Sequence, residues 1–177
     1  ESQLQERISR TWDESIVPSL VEYIKIPNKS PSFEPAWEEL GHMEQALQLA
    51  LEWSKSNMPE KAQIQVKRSP GRTPLLLIDL PGERNGNVLM YGHLDKQPEM
   101  EGWDDDLGLW KPVLNALMEQ KVALPRILIL IEFSEESGSP DLPHYMDLCA
   151  DLIGSPDLII CLDSGTGDYQ RLWTTTS

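Results

Sequence analysis

The stretch Val88-Leu89-Met90-Tyr91-Gly92-His93-Leu94-Asp95 decides the fold class. Its apolar residues follow one another without polar alternation, as in a strand covered on both faces of a parallel sheet. Three more runs share this character: Leu75-Leu76-Leu77-Ile78-Asp79-Leu80, Ile127-Leu128-Ile129-Leu130-Ile131 and Leu158-Ile159-Ile160-Cys161-Leu162. Pro81-Gly82 and Asn85-Gly86-Asn87 bound the runs Leu75 to Leu80 and Val88 to Tyr91. Ile64-Gln65-Val66-Lys67 alternates, as a half-exposed strand does. Around these lie segments of helical period: Leu4 to Ile26, which Pro18 would kink or divide in two, roughly Trp37 to Lys55 with Leu40, Met43, Leu47, Ala50 and Leu51 on one face, roughly Val113 to Lys121, and roughly Leu142 to Leu152. Strands alternating with helices predict an α/β fold, an open, mostly parallel sheet with helices on both faces.

The 177 residues suit one domain, with no linker or repeat. Twenty-nine acidic residues against 15 basic ones give a net charge of -14, which argues against a nucleic-acid partner that would need a basic face. No apolar run reaches the length of a membrane span. Glu1-Ser2-Gln3-Leu4-Gln5 leads straight into amphipathic sequence, unlike a secretory leader. Cys149 and Cys161 are too few for a disulfide framework, so a cytoplasmic location is expected, with Cys161 a buried thiol inside its apolar run.

The reactive side chains cluster by position. The run ending at Tyr91 is followed by His93 and Asp95, the run ending at Ile131 by Glu135 and Glu136, and the run ending at Leu162 by Asp163. Ligands of open α/β sheets bind outside the carboxyl ends of the strands, so these groups are expected to converge on one rim. His93 and Asp95 are two apart and face the same side of an extended chain, which suits an imidazole ligand and the carboxylate that orients it. The adjacent Glu135 and Glu136 suit a division between proton transfer and metal ligation. Asp163 is a further oxygen ligand. Mixed imidazole and carboxylate donors favour zinc, with manganese or cobalt as alternatives. Each motif also has an ordinary reading, as a loop histidine, a solvated acidic pair and a turn-capping aspartate; their coincidence at three strand ends raises the metal reading. Asp104-Asp105-Asp106 lacks the oxygen spacing of a calcium loop. His42 and His144 are read as structural, and no phosphate-binding glycine loop or nucleophile elbow occurs.

Gly92-His93-Leu94-Asp95-Lys96-Gln97-Pro98, Trp103-Asp104, Trp110-Lys111-Pro112, Glu135-Glu136-Ser137-Gly138-Ser139 and Leu162-Asp163-Ser164-Gly165 together resemble dinuclear zinc peptidases of metallopeptidase family 20, in the carnosinase-like and bacterial dipeptidase branch. The resemblance implies that His93 and Asp163 bind one metal and Glu136 a second. It also implies that Glu135 is the general base and that Asp95 orients His93. The implied reaction is amide hydrolysis in dipeptides or similar small substrates, with two divalent ions, in a parent enzyme that is a homodimer. Residues 1–177 then correspond to the N-terminal portion of one catalytic domain, without the lid and dimerisation domain or the C-terminal catalytic half.

Two departures accompany the resemblance. Val113 runs directly into Leu114-Asn115-Ala116, where the family carries a glycine-rich stretch with a metal-bridging aspartate, and no late histidine ligand is present. Either a stretch is omitted between Val113 and Leu114, which is the preferred explanation, or it is truly deleted. On its own the chain as written is expected to be inactive. Two other functions stand beside a dipeptidase: an N-acyl amino acid deacylase or desuccinylase of the same family, and a non-catalytic, metal-free interaction module.

Overall fold

The computed structural model describes residues 2–98, 125–161 and 163. Five strands form one sheet: β1 (Gln63–Lys67), β2 (Leu75–Leu80), β3 (Asn87–His93), β4 (Arg126–Glu132) and β5 (Leu158–Cys161), in the order β1-β2-β4-β3-β5. β3 pairs in parallel with both β4 and β5, while β2 runs antiparallel to β1 and to β4. Four of the five strands therefore point one way, as expected of a mostly parallel sheet, and the exception is β2, itself one of the unbroken apolar runs. The reversal of β2 has a simple cause. Seven residues join it to β1 and six to β3, too few for the crossover that a parallel connection requires.

Both faces of the sheet are covered. On one, Leu76, Ile78, Leu80, Ile129 and Phe133 meet Met43, Ala46 and Leu47 of the helix His42–Asn57. On the other, Leu75, Leu77, Leu89, Leu128 and Leu130 meet Tyr145, Cys149 and Ile153. β2 feeds both cores by alternation, so its continuous apolar run is used on both sides.

The helices depart from expectation in detail. The N-terminal segment divides into α1 (Ser2–Thr11), a π-helical turn (Trp12–Ile16) and α2 (Val17–Ile24). The irregularity thus falls just before Pro18, which sits in the first turn of α2, where a missing N–H costs nothing. The predicted helix from Trp37 to Lys55 is two helices, α3 (Trp37–Leu40) and α4 (His42–Asn57), parted by Gly41 at φ +71°. That left-handed residue turns Leu40 out to solvent, so Leu40 does not share the buried face. The segment from Leu142 is likewise α5 (Leu142–Leu148) and α6 (Ala150–Ile153), broken at Cys149. The helix expected at Val113 to Lys121 lies outside the described residues.

β5 corrects a second expectation. Cys161 is exposed, and Leu158 and Ile159 are 52% and 62% exposed. The strand has a partner on one side only among the described residues, so its apolar run is not covered as those of β2 and β4 are. Of the two cysteines it is Cys149 that is buried.

The amino ends of β3 and β4 are fastened by Arg126. Its guanidinium donates to both oxygens of Asp79, at 2.9 and 3.0 Å, to Asn87 Oδ1 and to the Leu152 carbonyl. This holds the end of the sheet opposite to the reactive rim. No described helix is long and apolar enough to cross a membrane.

Candidate metal centre

The parallel register of β3 and β4 places His93 directly beside Glu132, and that of β3 and β5 places Tyr91 beside Cys161. The residues that follow each strand therefore emerge at one rim. After β3 the chain continues to Asp95; after β4 it enters a 3₁₀ turn, Glu135–Ser137; two residues after β5 comes Asp163.

His93 is oriented by Asp95. A carboxylate only accepts, so the 3.2 Å contact makes His93 Nδ1 the donor to Asp95 Oδ1 and leaves Nε2 as the outward nitrogen. Nε2 lies 3.6 Å from Asp163 Oδ2 and 3.8 Å from Glu135 Oε2, and one donor atom from each of the three residues lies within 4.8 Å of the others. Atoms bound to one zinc ion at 2.0–2.2 Å stand roughly 3.3 Å apart at tetrahedral angles. A nitrogen and two carboxylate oxygens at the observed separations fit such an ion after small side-chain adjustments, and the oriented imidazole is the second requirement met.

Asp95 does more than hold the histidine. It is 3% exposed, and its two oxygens accept the backbone N–H groups of Glu135 and Glu136, at 3.2 and 3.0 Å. One buried carboxylate thus ties the loop after β3 to the turn after β4. Burial opposes its ionisation, but hydrogen bonds from His93, Ser30 and the Glu136 amide hold it below the usual carboxylate range. The hydrogen bond to Asp95, reinforced by the charges of Asp95, Asp163 and Glu135, outweighs burial and raises His93 to about 9. Glu135 moves upward, chiefly through burial, with His93 opposing and the neighbouring acids adding to the rise. An elevated carboxylate beside an imidazole is the disposition a proton acceptor needs.

Glu136 stands apart from this group. Its carboxylate accepts from Gln97 Nε2 at 2.6 Å. Among the described residues, then, the structure gathers His93, Asp95, Glu135 and Asp163, while the Glu136 carboxylate is engaged by Gln97.

The loop after β3 is itself held from the N-terminal segment. Tyr23 Oη and Asn28 Nδ2 both donate to the Leu94 carbonyl, and Lys96 Nζ donates to the carbonyls of Tyr23 and Ile26 at 2.7 and 2.6 Å. Lys96 also lies 3.9 Å over the Tyr23 ring. Burial pushes its ammonium down to about 8.

Solved structures share this arrangement of strands and helices. Human carnosine dipeptidase 1 matches with a TM-score of 0.70 and 21% identity over 92% of this chain and 41% of its own. The dipeptidase Dug1p of Saccharomyces cerevisiae matches at 0.61 and 17%, over 85% and 38%. The M20 family metallo-carboxypeptidase Sso-CP2 of Sulfolobus solfataricus matches at 0.62 and 16%, over 86% and 38%. The chain shares the fold of the matched part of these three structures, one of them described as an M20 family metallo-carboxypeptidase. The chain spans about two fifths of the length of these structures. No protein-family model and no curated protein matches the sequence.

Several residues around the rim were not singled out from the sequence. Glu132, the last residue of β4, is 2% exposed and accepts hydrogen bonds from Tyr91, Ser134 and Ser139. Ser137 Oγ lies 2.5 Å from Ser30 Oγ, donates to Ser32 Oγ and accepts from the Ser32 amide. An acid closing an otherwise apolar strand was the one available signal for Glu132. His144 has a structural setting away from the rim, 2.8 Å from Ser69 Oγ. Trp103-Asp104, Asp104-Asp105-Asp106, Trp110-Lys111-Pro112 and the Val113–Leu114 junction lie outside the described residues.

Proposed function

We propose that the chain is the N-terminal portion of the catalytic domain of a metal-dependent peptidase that hydrolyses dipeptides or similarly small amide substrates. The observation that carries this reading is the convergence of His93 Nε2, Glu135 and Asp163 from three strand ends, with Asp95 fixed behind the imidazole. His93 and Asp163 would hold one divalent ion, zinc by the character of the donors, and Glu136 would contribute to a second. When bound, such ions supply Lewis-acid activation of water and of the scissile carbonyl.

The protein's own groups perform the remaining work. Glu135 accepts the proton of the attacking water on its carboxylate and returns it to the departing amine nitrogen, its raised affinity for protons matching that task. Asp95 keeps the proton on His93 Nδ1, so that Nε2 stays available as a ligand. Through the amides of Glu135 and Glu136 it also keeps both acids at the distance from His93 that the reaction requires. The substrate's free carboxylate and its side chains would be read by parts of the protein beyond this rim.

The test is a zinc titration of purified protein, followed by assays of the metal-loaded protein against dipeptides and against N-acetyl and N-succinyl amino acids. Stoichiometric zinc binding by the chain that is lost in His93→Ala, with turnover of dipeptides by the full-length protein, supports the proposal. Preference for the N-acyl substrates would make it a deacylase. Absence of metal binding would make the chain an interaction module.

A further inference from the structure

Resting on that reading, we propose that Glu132 is a positioning residue, whose buried carboxylate fastens both ends of the turn that presents Glu135 and Glu136. The turn begins at Ser134 and ends at Ser139. Ser134 Oγ donates to Glu132 Oε2 at 3.3 Å, and Ser139 Oγ donates to Glu132 Oε1 at 2.9 Å. Tyr91 Oη donates to the same Oε1 at 2.6 Å, which anchors the carboxylate to β3, the strand that carries His93. A single side chain therefore spans the strand bearing the imidazole and the loop bearing the two acids.

The backbone of the turn shows why it needs fastening. Gly138 and Ser139 both have positive φ, at 83° and 53°, and Ser139 is the one non-glycine residue described that does so. The Ser137 and Ser139 amides donate to the Ser134 carbonyl, which closes the loop on itself but fixes it to nothing else. Its attachments to the sheet on the inner side are the Asp95 carboxylate, at the amides of Glu135 and Glu136, and the Glu132 carboxylate, at the two flanking serines.

Burial makes a purely structural role a poor explanation. Glu132 has no cationic partner among the described residues, and a carboxylate taken out of water without one costs stability that three hydroxyl donors only partly offset. An apolar or amide side chain would serve packing as well. What the carboxylate adds is acceptors for all three hydroxyls at once, and so a defined separation between His93 and the acidic turn.

The test measures zinc affinity by chelator competition in Glu132→Gln, Ser139→Ala and the double variant, with the visible spectrum of each cobalt-loaded protein. Glutamine keeps the size of the side chain but turns one acceptor into a donor. Glu132→Gln is expected to weaken zinc binding about tenfold or more, the scale on which groups that orient metal ligands act. Ser139→Ala should weaken it severalfold in the parent protein and hardly at all in the Glu132→Gln background, because both act through one carboxylate. The cobalt bands should shift in both single variants. Zinc affinity within twofold of the parent in both, or losses that simply multiply, would overturn the proposal. Should Glu132→Gln fail to fold, Tyr91→Phe and Ser139→Ala, each removing one hydroxyl, decide the matter by the same affinity threshold. A parent protein that takes up no zinc overturns the peptidase reading itself, and this proposal with it.

Discussion

Asp95 is asked to satisfy an imidazole N–H and two backbone amides with two oxygens, and that demand shapes everything around it. The same carboxylate raises His93 and lies among the charges that raise Glu135. In the metal-free protein the hydrogen bond and the surrounding acids favour protonated His93, raised from 6.5 to about 9. Its contribution to stability is therefore complete below pH 6.5 and is lost as the pH climbs through about 9. At its steepest this loss approaches one proton's worth, about 1.4 kcal/mol per pH unit. Urea midpoints of the metal-free protein between pH 6 and 9.5 should fall accordingly, and His93→Gln should flatten that profile. In the metal-loaded full-length parent Glu135→Gln is expected to lower kcat by a factor of about 10³ or more with zinc content unchanged. Zinc lost in step with activity would mark Glu135 as a ligand instead of the proton acceptor. Of these residues, the pairing of His93 with Asp95 was legible from their separation by two positions. The place of Glu136 beside Gln97, and the clamp by Glu132, were not, because they depend on how the turn from Ser134 to Ser139 folds back on the sheet.

At the level of elements, the strands were legible and the helix ends were not. Unbroken apolar runs located β2, β3 and β4 because burial on both faces leaves no room for polar alternation. Helix interruptions depend on single residues whose effect is decided by context. Gly41 splits one helical pattern by taking a left-handed conformation, and Pro18 fits a first turn without breaking it. Gly82 shows the same dependence in a loop. A Cβ placed there would lie 2.1 Å from the carbonyl carbon of Pro125 and 2.2 Å from the Arg126 nitrogen, backbone atoms that cannot swing aside. Gly82 thus lets the exit from β2 cross the entry to β4. Gly82→Ala is expected to cost about 3 kcal/mol, at the upper end for overpacking, because the obstacle is main chain. Urea denaturation of the two proteins measures it. A loss below 0.5 kcal/mol would mean that the crossing is looser than described.

For the molecule as a whole, the sheet order could not be read from the sequence, although the fold class could. β4 inserts between β2 and β3, and only tertiary pairing reveals that. The same holds for the exposed run in β5. Sequence alone made Leu158-Ile159-Ile160-Cys161 look like every other interior strand, whereas coverage is a property of neighbours. Here the described sheet presents a bare hydrogen-bonding ridge flanked by greasy side chains, the geometry by which strands recruit further strands. If this edge is also unpaired in the whole chain, two copies would zip together along it and Ile159→Lys would keep them apart, which sedimentation velocity over a concentration series would register. Association that Ile159→Lys leaves unchanged would place the contact elsewhere, and no association by either protein would mean that the seam is already sealed. If it is open, whatever lies against β5 in the working protein does two things at once: it keeps the molecule from clotting, and it steadies the strand whose end delivers Asp163 to the rim.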